Sequence, residues 1–315
     1  MKIPGLVFFI CALALAAAPA SAQSPADAAP AAATPRMVMT WIPPYAIGPS
    51  LTQLKALHNG AGPSKALTHI ALQFWHPTLL GGVTRATAYG PISDALVREI
   101  IRWGHNHGIK VVLCVYNFDE TTQKWDWAWA KSAFATHRAA FVAALVAEMT
   151  RLGLDGVDID FEGDDTDIPD TQLNRDRSAY VTFVKTLHLQ LAPRHKHLTV
   201  DSFSDQYNAP NWNWWASLFR YVDGITSMGY QDIGMNAPGG ASYSNQVLHA
   251  GAYSSKLMLG LPSDQNTWQG NNAVDQTHWF VTTTKVGVAI WDAQFTATMW
   301  RQAPVWQNLQ AVSGR

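Results

Sequence analysis

The sequence predicts an α/β fold built as one closed barrel of eight parallel strands, the (β/α)8 or TIM barrel. Three observations lead there. Short β-branched or apolar runs occur eight times, amphipathic stretches separate several of them, and residues 36–315 supply about 280 residues, the size of one such barrel. Alternating strand and helix gives a parallel sheet, and eight repeats close it. An open doubly wound sheet is the alternative, but no Gly-rich phosphate loop follows the first strand.

Taken in order, residues 1–22 read as a secretory signal. Lys2 supplies the positive start, Leu6 to Ala18 the apolar stretch, and Ala20-Ser21-Ala22 the small-residue cleavage site, so cleavage is expected after Ala22 and the chain is expected to be secreted or periplasmic. The apolar run is too short to span a bilayer and no second run of spanning length follows, so no stable membrane insertion is expected. Cys11 falls inside the signal, which leaves Cys114 with no disulfide partner. Residues 23–35 are rich in Ala, Pro and Ser and read as a disordered leader.

The eight strand-like runs are Met37–Trp41, Leu67–Trp75, Lys110–Val115, Gly156–Phe161, Leu198–Phe203, Tyr221–Gly229, Lys256–Leu261 and Val286–Trp291. Helical spacing of apolar residues marks Ala95–His107, Lys131–Leu152 and Asp176–Leu191, with Gly108 and Gly153 placed to end helices. No long repeat or linker divides residues 36–315, which form a single expected domain.

Net charge is -1 with acids and bases dispersed, which offers no attraction for nucleic acid or an anionic membrane. The 14 Trp are several-fold above ordinary usage, and indoles suit stacking on the apolar faces of sugar rings, although many must be core. Nothing in the sequence specifies an oligomer, and a monomer is assumed.

The most informative segment is Gly153-Leu154-Asp155-Gly156-Val157-Asp158-Ile159-Asp160-Phe161-Glu162-Gly163. Strand alternation sends Asp158, Asp160 and Glu162 to one face and Val157, Ile159 and Phe161 to the other. Neighbours on one face lie roughly 6.5 Å apart by the strand rise. Three full charges in a partly dry site repel, so at least one acid holds a proton near neutrality. A protonated carboxyl beside an ionised one is what glycoside cleavage requires, because the leaving oxygen must be protonated. Calcium loops, by contrast, set acids in flexible turns without alternating β-branched and aromatic residues. Glu162 falls at the C-terminal end of the fourth strand, the end where barrel active sites lie.

Asp155-Gly156-Val157-Asp158-Ile159-Asp160-Phe161-Glu162 resembles the DGxDxDxE signature of glycoside hydrolase family 18, the chitinase family, at every defined position. Met228-Gly229-Tyr230-Gln231 resembles the family's M-x-Y-D element, with Tyr230 on the tyrosine and Gln231 in the Asp position. Trp291, ending the last strand, fits the family's Trp under the cleaved sugar. The resemblance implies substrate-assisted retention: the sugar's own 2-acetamido oxygen attacks, Glu162 is the general acid and then the base, Asp160 orients the acetamido N–H, Asp158 shares a proton with Asp160, and Tyr230 donates to the acetamido group. It implies a substrate containing 2-acetamido sugars, with no cofactor and no metal.

The third strand ends Val115-Tyr116-Asn117-Phe118, where many family members carry a Gly-rich element. Tyr116 and Asn117 are therefore expected substrate contacts, together with Gln231 and with Trp41, Phe74 and Trp75 at the ends of strands one and two. Chitin oligosaccharide, N-glycan core and bacterial cell-wall glycan all stay open as substrates. The rival classes are a metal-dependent deacetylase and a sugar-binding lectin. The first could draw on His105-Asn106-His107 and His195-Lys196-His197, but both pairs precede strands and so lie at the other barrel end. Chitinase-like lectins have lost the acid that is present here as Glu162.

Overall fold

A computed structural model describes residues 35–163, 170–234, 238–283 and 285–315. The expected signal, and all of the expected leader except Pro35, lie outside the described residues.

Eight parallel strands close into a barrel, named here β1 (Val38–Ile42), β2 (His69–Pro77), β3 (Lys110–Tyr116), β4 (Gly156–Asp160), β5 (His197–Ser202), β6 (Gly224–Ser227), β7 (Leu257–Pro262) and β8 (Gly287–Trp291). Each pairs with the next, and β8 returns to β1 with Val38 opposite Val288. The predicted architecture is therefore the observed one. Helices pack outside, and the main hydrophobic core fills the layer between them and the strands: Val157, Ile159 and Phe161 enter it, as the alternation in β4 requires. A smaller core of Met39, Trp41, Ala71, Val112, Cys114, Met258 and Ala289 fills the barrel interior.

The motif's first two residues build the lower rim. Asp155 Oδ2 accepts from the Val111 N–H at 2.8 Å and bonds His105 Nε2 at 2.7 Å. A Cβ on Gly156 would lie 2.3 Å from the His197 carbonyl oxygen, so only glycine lets β4 and β5 approach there. Neither His-x-His pair converges on a site: His105 is bound to Asp155, His107 to the Trp103 carbonyl, and His197 to the buried His69 at 3.1 Å.

Three expectations shift. The strand expected from Tyr221 starts at Gly224, because Asp223 bonds Leu198 through both its N–H and its carboxylate and so turns the chain into β6. The helix expected over Lys131–Leu152 is broken into Trp127–Lys131, one π-helical turn over Ser132–Thr136, and Arg138–Leu152, with His137 outside helical geometry. Asp126 caps its start by accepting from the Trp129 N–H at 2.9 Å. Gly153 ends it in the left-handed conformation at φ 81°, as its position suggested. The third predicted helix begins earlier, at Asp170.

Candidate active site

The barrel mouth is organised around β4. Asp158 is fully buried, with Trp41 Nε1 from β1 donating to its Oδ2 at 2.8 Å and Thr199 Oγ1 from β5 to its Oδ1 at 2.5 Å. Asp160, 3 % exposed, accepts from Gln73 Nε2 of β2 at 2.7 Å. Glu162 is partly exposed one step higher, and Asn117 fixes its main chain by accepting from the Glu162 N–H and donating to its carbonyl. Gly163 follows tightly: a Cβ there would sit 2.7 Å from the Trp127 ring. Glu162 thus stands on a rigid end of β4, above two buried carboxyls.

A fourth acid completes the cluster. Asp201 of β5 is 2 % exposed, and its Oδ1 has no hydrogen-bond partner among the described residues. Burial pushes the Asp160 carboxyl up to about 7; the Gln73 amide opposes this, the Asp158 charge adds to it, and Glu162 hydrogen bonding opposes it again. Burial also raises Asp158, against the bonds from Thr199 and Trp41, and raises Asp201 well above its ordinary value, with Asp158 and Asp160 adding to the effect. Cys114 beneath them is likewise held as the thiol by burial and by the surrounding acids. Cys114, Asp160 and Asp201 each bring one heteroatom within 4.8 Å of the others. The floor of the site is therefore a group of buried carboxyls, each pushed toward its protonated form, beneath the more exposed Glu162.

Two cavities adjoin this floor. The larger, about 430 Å³, is lined by Asp160, Glu162, Asp201, Tyr230, Gln231 and Trp291 among others. Tyr230 stays protonated, its hydroxyl raised first by burial and then by Asp201 and Asp160, so it keeps a proton to donate to an acceptor in the cavity. Its ring packs close to β7, where a Cβ on Gly260 would meet the Tyr230 ring at 2.8 Å and the Ser227 carbonyl at 2.7 Å. The smaller cavity, about 160 Å³, lies across Trp291 and Trp125, which line both, and is walled by Tyr45, Tyr89, Tyr116, Phe118, Gln73 and Glu120.

Asp158, Asp160, Glu162, Tyr230, Gln231 and Trp291 thus meet at one mouth, and Tyr116 reaches the second cavity. Four other expected substrate contacts are corrected. Trp41 and Asn117 are fully buried and act on Asp158 and on the Glu162 backbone instead. Phe74 and Trp75 belong to the outer core, and Trp75 Nε1 donates to Glu148 on the surrounding helix. The reason is a register shift between Gln73 and Trp75 in β2, a bulge that turns Trp75 outward and leaves Gln73 as the inward residue. Of the tryptophans that follow strands, Trp214, Trp215 and Trp268 are core, whereas Trp125 lines the site. Gln73, Asp201 and Glu120 were missed. The first two were within reach, since alternation puts Gln73 in line with Ala71, and Asp201 in line with Thr199; no local pattern marks Glu120.

Comparison with known proteins places the chain. The family described as Glycosyl hydrolases family 18 matches residues 49–313. The chain is thus a barrel glycoside hydrolase. It belongs to glycosyl hydrolases family 18. A search of curated proteins returned no match. Among solved structures, a chitinase from Chromobacterium violaceum superposes with TM-score 0.63 at 15% identity, covering 89% of this chain and 100% of that one. The Group IV chitinase of Ostrinia furnacalis gives 0.66 at 14%, covering 89% and 100%. The spore cortex-lytic enzyme SleL of Bacillus megaterium gives 0.62 at 9%, covering 89% and 74%. At these identities the likeness establishes the fold.

Proposed function

We propose that the protein hydrolyses β-linked glycans containing N-acetylglucosamine, with retention, through attack by the substrate's own acetamido group. The observation that carries this reading is the stacking of one partly exposed carboxyl, Glu162, over the buried acids Asp158 and Asp160 at the mouth of a family 18 barrel.

Glu162 gives its proton to the glycosidic oxygen as the bond to the anomeric carbon breaks. The acetamido oxygen forms the new bond to that carbon, giving a bicyclic oxazolinium ion. Asp160, ionised at this stage, accepts from the acetamido N–H and offsets the positive charge, while Asp158 takes the proton that the pair shares. The Tyr230 hydroxyl donates to the acetamido oxygen and Trp291 supports the distorted ring. Water then opens the oxazolinium, leaving its proton on Glu162 and its oxygen on the anomeric carbon with the original configuration. A sugar without the acetamido group has no nucleophile and is not a substrate.

Among the described residues no helix is long and apolar enough to cross a membrane. We assign the mature enzyme to the periplasm or the medium on the strength of residues 1–22, which N-terminal sequencing of the exported protein tests.

The reading is tested with wild type and Glu162→Gln on chitin oligosaccharides, a high-mannose glycopeptide and purified peptidoglycan, with products identified by mass spectrometry. Cleavage of an N-acetylated glycan that falls by 10² or more in the variant is expected, the range for a lost general acid being about 10²–10⁴. Equal rates in both proteins reject Glu162 as the acid, and binding without cleavage by wild type moves the protein to the lectins.

A further inference from the structure

The second cavity is built differently from the first. Its walls are aromatic on nearly every side: Tyr45 and Tyr89 meet edge to face at 5.8 Å, and Phe118 and Trp125 at 5.4 Å across a small hairpin of Phe118–Asp119 and Lys124–Trp125. Trp291 and Tyr116 complete it. Into this box projects one carboxylate, Glu120, only 12 % exposed. Its Oε1 takes the Tyr116 hydroxyl at 2.5 Å and His76 Nε2 at 2.9 Å, while Oε2 takes no hydrogen bond from any described residue. His76 does not line the cavity; it spans from the carboxylate to the Tyr116 carbonyl and is stacked on Trp129.

Three of the cavity's donors are committed within the protein. Tyr45 donates to Asp292, Tyr116 to Glu120 and the Gln73 amide to Asp160. What these groups leave for a ligand is acceptors and aromatic faces. Tyr89, Trp125 and Trp291 still carry donors, but an ammonium group finds here a carboxylate oxygen and a ring of π faces together, the combination that selects cations. No Lys or Arg is among the described residues lining either cavity, while Asp160, Glu162, Asp201, Asp205, Asp232 and Glu120 are. A chain bearing lactyl or peptide carboxylates meets repulsion along this whole cleft.

We propose that the second cavity is a subsite for glucosamine, the ammonium-bearing sugar, and that the enzyme's preferred substrate is partly N-deacetylated chitin cleaved after an N-acetylated unit. This rests on the hydrolase reading above. The acid Glu162 lines the first cavity only, so the leaving portion of the glycan extends there, and the unit preceding the cleaved sugar passes Trp291 into the Glu120 box. The two units then carry opposite requirements: an acetamido group over Asp160, a free amine beside Glu120.

The test uses the full mature enzyme on chitosan of intermediate acetylation, with products sequenced by mass spectrometry. Wild type is expected to leave N-acetylglucosamine at every new reducing end and glucosamine enriched at least threefold over random at the unit before it. In Glu120→Gln that enrichment falls to random. Raising salt from about 0.1 M to about 1 M, which shortens the Debye length from about 10 Å to about 3 Å, lowers the enrichment in wild type and needs no variant. A random wild-type sequence at that position, or enrichment that survives Glu120→Gln, overturns the subsite while leaving the hydrolase reading intact. Failure of wild type to cleave any N-acetylated oligomer overturns the hydrolase reading, and the subsite with it.

Discussion

Asn117 holds Glu162 by the backbone at both ends: its Nδ2 donates to the Glu162 carbonyl at 2.9 Å and its Oδ1 accepts from the Glu162 N–H at 2.8 Å. The residue expected to touch sugar instead fixes the height and direction of the acid. Truncation in Asn117→Ala leaves two buried backbone groups unpaired, each costing about 1–3 kcal/mol. We expect a lower melting temperature and a kcat reduced up to about 10²-fold, the scale on which small misplacements of a reacting group act, with KM little changed. Steady-state kinetics on a chitin oligosaccharide separate the two parameters, and a changed KM at constant kcat would return Asn117 to the substrate contacts.

Gln73 supports Asp160 as Asn117 supports Glu162. Its amide bond lowers the Asp160 carboxyl against the upward push of burial, so Gln73→Ala should move Asp160 further up. Because Asp160 must ionise during the proposed reaction, the acid limb of the kcat/KM profile should shift to higher pH in this variant. An unmoved limb would remove Asp160 from the groups that set it.

The buried acids also link stability to pH. Asp158, Asp160 and Asp201 are all raised in the native state, so the native chain keeps protons that the unfolded chain releases. Their contribution is present in full below the ordinary aspartate value of about 3.9, and it is lost as pH rises through the native value, about 7 for Asp160. Asp201→Asn removes one such group while keeping its shape. Scanning calorimetry across this range should find the variant increasingly favoured over wild type from pH 4 to pH 8. A constant difference would mean that Asp201 does not titrate with folding.

Gly260 is required by the Ser227 carbonyl of β6 and by the Tyr230 ring alike. In Gly260→Ala the new methyl meets the Tyr230 ring at 2.8 Å and the Ser227 carbonyl at 2.7 Å, so one of them must move. Overpacking of this kind costs about 1–3 kcal/mol. Turnover is expected to fall with the shift of Tyr230, and a crystal structure of the variant would show where the ring goes.

The sequence by itself determined the barrel, the order of its strands, and the carboxylates of β4 that meet at one end. These are local properties: the alternation Val157-Asp158-Ile159-Asp160-Phe161 fixes which face each side chain takes whatever lies around it, and Gly153 ends its helix without outside help. Tyr230 and Trp291 were legible through the resemblance to the family's M-x-Y-D element and to its Trp at the end of the last strand. Tertiary structure decided the rest. A bulge in β2, which the run Leu67–Trp75 does not announce, turned Trp75 to the helices and left Gln73 at the site. Closure of the barrel carried Trp41 beneath Asp158 and brought Asp201 beside Asp160, where burial among like charges set their protons. Glu120 became a candidate substrate contact only once Tyr45, Tyr89 and Trp291, from three separate segments of the chain, met around one cavity with it. Strand periodicity is written residue by residue, but register, burial and the partner across the barrel depend on segments far apart in sequence, from 41 residues between Asp158 and Thr199 to 117 between Trp41 and Asp158, and those meet only after the chain has folded.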